Sequence, residues 1–407
     1  MNELSISGRI VDPLDGVYDA TVLIRRGKIA TISDKGLEGK NVIQLTSSQL
    51  LFPGFIDAHV HMREPGWEYK EDFLSGSKAA LHGGVTTVAD MPNLPEPITT
   101  RDRLVRKMKV AGKSLVDVLH LGGVGHDLFN IKNLAALVPA FKIYTAKSTG
   151  ELFLDGWGRI EEAVKIISKL EKPVTFHCEE QSIIDKDPSR PREAEIIAVE
   201  KVLEICKKYG TKVNIAHISV KEALEIVNEN IDQMQLTCEV APHHVFFNRK
   251  DVKDSLMKVN PPLREKKDSE ALLKELNKGK CMIATDHAPH TLEEKNSANP
   301  PSGMPGLDTY GNFVLWLLVK QKIKPQTISK VTSLNAANYL GIKNKARIKE
   351  NFAADLVILD KKGKTKIENK NLYTKCGWSA FDGMTFPGKV VCTIRNGVIT
   401  AKDGIVL

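Results

Sequence analysis

The sequence predicts an α/β protein: a (β/α)8 barrel of the TIM type carrying a small β-sandwich domain built from both chain ends. Three observations predict it. The chain has 407 residues, about two to three times the usual size of one domain, which suits one large barrel or two domains. Between residues 51 and 349, short apolar runs alternate with longer amphipathic stretches, the pattern of repeated βα units around a parallel sheet. In residues 1–50 and 350–407 that grammar gives way to two-residue alternation broken by tight turns. The expected division is a composite β domain from 1–50 and 350–407, and a metal-dependent catalytic barrel over 51–349.

Taken in order, Ala20-Thr21-Val22-Leu23-Ile24 and Arg26-Gly27-Lys28-Ile29-Ala30 read as strands of the first flank. Eight barrel strands are then expected at 54–61, 85–90, 115–122, 140–144, 173–178, 212–217, 235–240 and 281–286. Helices are expected at 73–81, 101–111, 159–170, 193–209, 220–229 and 269–278, where apolar residues recur at helical spacing. Two irregular stretches, 241–267 and 288–307, read as loops after the last two strands, where long loops carry function. Asp355-Leu356-Val357-Ile358-Leu359 and residues 389–399 return to the strand pattern of the N-terminal flank.

Composition excludes several classes. At 42% hydrophobic and 27% charged the chain is an ordinary globular protein with a large core. The longest apolar run, 313–319, stops at Lys320, well short of the roughly 18 residues that cross a bilayer, so no membrane role is expected. Residues 1–10 lack the basic and apolar regions of a secretion signal, and the expected location is the cytoplasm. The net charge of +8 is spread among Glu residues, as in Glu265-Lys266-Lys267-Asp268, and aromatics are only 6%, so no nucleic-acid platform is expected. Cys178, Cys206, Cys238, Cys281, Cys376 and Cys392 include no C-x-x-C pair and read as reduced thiols, most of them buried.

The chemistry is concentrated at strand ends. In Phe55-Ile56-Asp57-Ala58-His59-Val60-His61 the two histidines sit on alternate positions, so both imidazoles project to one side. His177, His217 and Asp286 each end another apolar run, the end at which barrel enzymes keep their active sites. Four imidazoles and a carboxylate without thiolates point to a metal centre of Zn, Mn, Co or Fe. Five ligands exceed the usual set of a mononuclear catalytic zinc, so two cations and a bridging anion are expected.

The runs Pro53-Gly54-Phe55-Ile56-Asp57-Ala58-His59-Val60-His61-Met62-Arg63-Glu64-Pro65-Gly66, Asp90-Met91-Pro92-Asn93 and Ala284-Thr285-Asp286-His287-Ala288-Pro289-His290 closely resemble the dihydroorotases of the amidohydrolase superfamily, in the same order and over essentially the whole chain. The resemblance implies that His59, His61 and Asp286 hold one divalent ion and His177 and His217 a second, zinc by preference. It implies a carboxylated, bridging Lys142, since a buried lysine that loses its proton can add carbon dioxide. Asp286 would also be the catalytic proton carrier, and His287, by strand alternation, would point away from the metals. Arg63 would pair with a substrate carboxylate, and His61, Asn93, Asn260, His290, Ser302 and Gly303 would also contact the substrate. His243 and His244 are not expected to be ligands, and the loop 145–150 could form a lid.

The activity implied is the reversible cyclisation of N-carbamoyl-L-aspartate to (S)-dihydroorotate and water, in de novo synthesis of the pyrimidine nucleotide UMP. Two alternatives stand beside it. One is another cyclic amidase, a hydantoinase, dihydropyrimidinase or allantoinase; the other is a catalytically silent scaffold for the preceding transcarbamoylase. A homo-oligomer or association with aspartate transcarbamoylase is left open.

Overall fold

The computed structural model describes residues 3–35 and 41–407; residues 1–2 and 36–40 lie outside the described residues, and with them part of the stretch 1–10 that was read for a secretion signal and part of the 1–50 flank. The parallel barrel strands are Phe55–Val60, Val85–Asp90, Asp117–His120 continued by Gly122–Gly123, Phe141–Tyr144, Val174–His177, Val213–Ile215, Leu236–Val240 and Met282–Ile283. Each falls within or across one of the expected runs, but the last is only two residues long. The third is interrupted at Leu121, whose amide bonds back to Asp90 while the next amide, of Gly122, bonds forward to Ala140. That switch of partner joins the two hydrogen-bonded halves of the barrel.

Closure between the first and eighth strands depends on side chains more than on a ladder. The buried Asp57 carboxylate accepts the Thr285 amide at 3.1 Å, the Thr285 hydroxyl, and the amide of His59 at 3.1 Å. Above it the His61 amide donates to the His287 carbonyl at 2.8 Å, next to a bridge from Val60 to His287. Burial raises the Asp57 pKa to about 7 in spite of these donors.

The expected helices form at Phe73–His82, Arg101–Val110, Trp157–Ser168, Arg192–Tyr209, Lys221–Asn230 and Lys266–Lys278. Asp72 caps the first by accepting the Leu74 and Ser75 amides. Gly210 and Gly279, both in the left-handed region, end the fourth and sixth. The loop expected at 241–267 contains a short helix, Pro242–Phe246, which buries His243 and His244. Among helices with no counterpart in the expected set is Tyr310–Val319, which contains the apolar run 313–319. It is apolar on nearly every side because it is sandwiched, packing on the strand Thr385–Arg395 as well as in the main core. No helix among the described residues is long and apolar enough to cross a membrane.

The chain ends together form a β-sheet domain. Among the described residues, nine strands hydrogen-bond into one sheet, with the strands of the two chain ends meeting where Gln49–Pro53 pairs with Leu356–Lys366. Ile29 and Ile394, on strands five places apart in that sheet, nevertheless share one core. Flat strands at about 4.8 Å spacing would hold them far apart, so the sheet doubles back on itself, and the turn at Gly27 touches the turn at Asn396.

The closing contact generates a prediction. Asp57→Ala leaves the His59 and Thr285 amides buried without acceptors, at a cost of about 1–3 kcal/mol for each. The variant is expected to unfold at clearly lower denaturant concentration, and a midpoint equal to the parent's would show that the seam is held by other contacts.

Candidate metal centre and active site

The strand register carries the candidate residues to one end of the barrel. Lys142 pairs with Thr175, and Tyr144 pairs with His177, the last residue of its strand. His217 and Asp286 lie just past their strands, and His61 just past the first. Arg63, His217 and Asp286 have φ of 61°, 32° and 49°, a left-handed backbone that costs a non-glycine residue about 1–3 kcal/mol and is concentrated at functional sites. The turn at Asp286 separates it from its neighbour. Asp286 faces the cavity, whereas His287 is buried in the seam, its Nδ1 accepting the Gly306 amide.

Four imidazoles form a continuous arc. Ring centroids are 5.3 Å apart for His61 and His59, 5.3 Å for His59 and His217, and 4.8 Å for His217 and His177. Asp286 Oδ1 lies 3.1 Å from His61 Nε2 and 3.4 Å from His59 Nε2, and these three side chains cluster closely enough to hold one cation. At the other end of the arc His177 Nδ1 and His217 Nε2 face each other at 3.0 Å.

Outer contacts orient three of the rings. His59 Nδ1 meets Glu239 at 2.7 Å, His61 Nδ1 meets the Asn93 side-chain oxygen at 2.8 Å, and His177 Nε2 meets Glu179 at 2.7 Å. Each acceptor holds a proton on the far nitrogen and leaves the near nitrogen with its lone pair free, the arrangement a metal ligand requires. Burial, aided by neighbouring positive charge, holds the pKa of His59, His61 and His217 well below the usual imidazole range. Burial also lowers that of His177. The arc is therefore neutral and electron-rich.

Lys142 is completely buried, and its Nζ makes no hydrogen bond among the described residues. Burial pulls its pKa down, while the carboxylates of Glu239 and Asp286 oppose that shift. Glu239 is raised by burial and restrained by the same lysine, and Asn214 donates to its other oxygen at 2.6 Å. His59, His61, His177, His217 and Asp286 all line one cavity.

Arg63 forms part of the cavity wall. Its Nε donates to the Pro289 carbonyl at 3.0 Å, its Nη2 lies 3.1 Å from His290 Nε2, and its Nη1 is buried without a partner among the described residues. Burial lowers its pKa to about 10, which leaves it charged. The chain entering Arg63 is fixed by Asp90, which accepts the Met62 amide at 2.9 Å and pairs with buried Lys107 at 2.7 Å. Asn93, Asn260, Ser302 and Gly303 line the same cavity, as do Ser148 and Thr149 of the loop 145–150. His290 does not: it lies behind Arg63, fully buried, with Lys70 at 3.2 Å from its Nδ1. His243 and His244 stack on each other outside the lining.

Sequence reasoning missed Glu239, Glu179 and Tyr144. Glu239 was detectable as a carboxylate inside an apolar strand run, and Glu179 as a second acid just beyond His177. Tyr144 lines the cavity with its hydroxyl unpartnered, and alternation from Lys142 was the available signal.

Comparisons with known proteins bear on the family and the fold. The amidohydrolase family model matches residues 50–400. A dihydroorotase of Pyrococcus horikoshii is 36% identical over 95% of this chain and 89% of its own length. One from Methanothermobacter thermautotrophicus is 35% identical over 94% and 90%. Among solved structures, an L-hydantoinase (dihydropyrimidinase) from Arthrobacter aurescens superposes with a TM-score of 0.95 at 26% identity, covering 100% of this chain and 98% of that one. A dihydropyrimidinase from Brevibacillus agri, 22% identical with a TM-score of 0.91 over 100% and 96%, shares the fold.

The contact between Glu239 and His59 is open to test. Glu239→Gln is expected to weaken divalent-metal affinity by about 10–100-fold, the usual effect of losing such a partner, with the fold retained by circular dichroism. Chelator competition measures it, and unchanged affinity would deny Glu239 this orienting role.

Proposed function

This chain belongs to the amidohydrolase family and, within it, to the dihydroorotases, and from that membership we propose that it interconverts N-carbamoyl-L-aspartate with (S)-dihydroorotate and water. The observation that carries the substrate assignment is Arg63. A buried guanidinium with an unpaired Nη1 in the cavity wall suits a ligand carboxylate. A neutral ring such as hydantoin or dihydrouracil would leave that charge buried without a counter-ion, which is costly.

The neutral imidazole arc and the orphaned amine of Lys142 fit a two-metal centre. His59, His61 and Asp286 would hold one cation, His177 and His217 the other, with Lys142 carrying a carboxylate between them. Zinc suits this set of nitrogen and oxygen donors, as do neighbouring first-row metals. Such cations, when bound, acidify water and polarise the carbonyl that is attacked. Desolvation prepares Lys142 for its part, because the neutral amine is the form that adds carbon dioxide.

The protein's own groups handle position and protons. Arg63 and Asn93 would fix the ring carboxylate, and Asn260, Ser302 and Gly303 would face the rest of the ring from the opposite loops. His290 would act through Arg63, which it buttresses. The Asp286 carboxylate faces the cavity. In cyclisation it would take the proton from the ureido nitrogen as that nitrogen closes on the side-chain carboxyl carbon and pass it to the departing carboxyl oxygen, which leaves as hydroxide when its C–O bond breaks; in hydrolysis it would carry the proton of the attacking hydroxide to the ring nitrogen as the C–N bond breaks.

A parallel hydrolysis assay of dihydroorotate, dihydrouracil, hydantoin and allantoin tests the reading, with turnover of dihydroorotate alone expected. Arg63→Met is expected to raise KM for dihydroorotate by at least about tenfold, the scale of one charge-assisted contact, with metal content unchanged. Unaltered KM would remove the carboxylate assignment.

The lysine generates a pH prediction. Protein stripped of metal and carbon dioxide is expected to recover activity only when both are restored. At fixed dissolved carbon dioxide, recovery should be faster at high pH, because the neutral fraction of Lys142 grows as pH rises. Equal rates on both sides of neutrality, or recovery with metal alone, would deny the carboxylated lysine.

A further inference from the structure

Lys295 ends the short helix Leu292–Lys295 and is fully buried. Its Nζ lies 3.1 Å from the Lys258 carbonyl, 3.0 Å from that of Pro301 and 3.0 Å from that of Gly303. An ammonium has three donors, and here all three end on backbone oxygens. The Trp378 ring lies 5.8 Å from the ammonium, and no carboxylate is among these contacts, so burying the charge here is expensive. Burial, with the Lys258 charge adding to it, lowers its pKa to about 8.

The three acceptors come from two separate loops, those following the seventh and eighth barrel strands. The loops are also joined directly, the Gly303 amide donating to Lys258 O at 2.9 Å and Lys258 Nζ to Pro300 O at 2.7 Å. Cavity-lining residues are interleaved with these contacts. Asn260 is two residues beyond Lys258, and Ser302 lies between the two clamped carbonyls. Gly303 is pressed against the wall so closely that a Cβ there would lie 2.5 Å from the Ala288 carbonyl oxygen.

Apolar packing could hold two loops together, but it does not orient peptide planes. The carbonyls of Pro301 and Gly303 both accept from Lys295, while the intervening Ser302 carbonyl accepts the hydroxyl of cavity-lining Thr149 at 3.3 Å.

We propose that Lys295 is a positioning residue for substrate binding, whose ammonium sets the Ser302 peptide and the location of Asn260 in the outer wall of the cavity. The inference rests on the reaction proposed above. It does not involve the metal ligands, so its effect falls on binding and not on the chemical step.

The test compares Lys295→Met and Lys295→Arg with the parent protein. Lys295→Met is expected to raise KM for dihydroorotate by about tenfold or more while kcat stays within about threefold and metal content is unchanged, the pattern of lost binding common to ground and transition states. Amide hydrogen exchange should quicken in segments 255–263 and 296–304 and stay slow in the ligand-bearing strands. Lys295→Arg, which keeps charge and donors, should recover most of the KM change. A folded Lys295→Met protein with parental KM and parental exchange would overturn the proposal, as would a fall in kcat at constant KM. If Lys295→Met does not fold, Lys295→Gln, which keeps two donors, takes its place with the same criteria. Failure of the parent protein to turn over dihydroorotate would sink the reaction instead, and the exchange comparison would still decide whether Lys295 holds the two loops.

Discussion

Closing the barrel between its first and eighth strands is the constraint on which the rest of the structure depends. His61 and Asp286 are 225 residues apart in sequence, yet their side chains meet at 3.1 Å. The eighth strand contributes only Met282–Ile283 to the ladder, too little to set that distance alone. Asp57 supplies the missing connection by accepting from His59 on its own strand and from Thr285 on the other. One carboxylate thereby ties together the backbones that carry His59 and His61 on one side and Asp286 on the other. Burial raises its pKa to about 7, a sign of how much solvation it gives up there.

The seam also reaches beyond the barrel. His287, turned away from the cavity, pairs with the backbone at Val60 and Met304 and lies 3.3 Å from Glu71. Glu71 accepts from Thr374 Oγ1 and the Lys375 amide, near the C-terminal strands. Chain ends that look like a separate module are thus bound to the loop that follows the H-x-H pair. The same region holds Arg63 between the Pro289 carbonyl and His290. Position at this site is set by layers of contact, most of them made by groups that never face the cavity.

Electrostatically the centre is a set of neutral donors around one desolvated amine. Low dielectric keeps the imidazoles unprotonated and makes the Lys142 ammonium costly. Arg63, in the cavity wall, is the one Lys or Arg of the lining among the described residues. A guanidinium keeps its charge where a lysine would surrender it, so burial acts differently on Arg63 and Lys142.

Much of this was legible in the sequence because strand and helix periods are local. Alternation brought His59 and His61 to one side, and apolar runs located His177, His217 and Asp286 at strand ends, where the structure brings them together. The π-helical turn Lys330–Leu334 and the helix Tyr310–Val319 were not legible. A helix buried on both faces has no polar stripe to give it a period. Nor could residue order reveal that Glu239 would orient His59 across 180 positions, that His290 would stand behind Arg63, or that three carbonyls from two loops would converge on Lys295. By itself the sequence determined which residues lie at the catalytic end of the barrel, since that follows from spacing along one strand. Which of them touch, and which groups hold them, was decided only by the tertiary structure, because those contacts exist only once the barrel closes and its register is set.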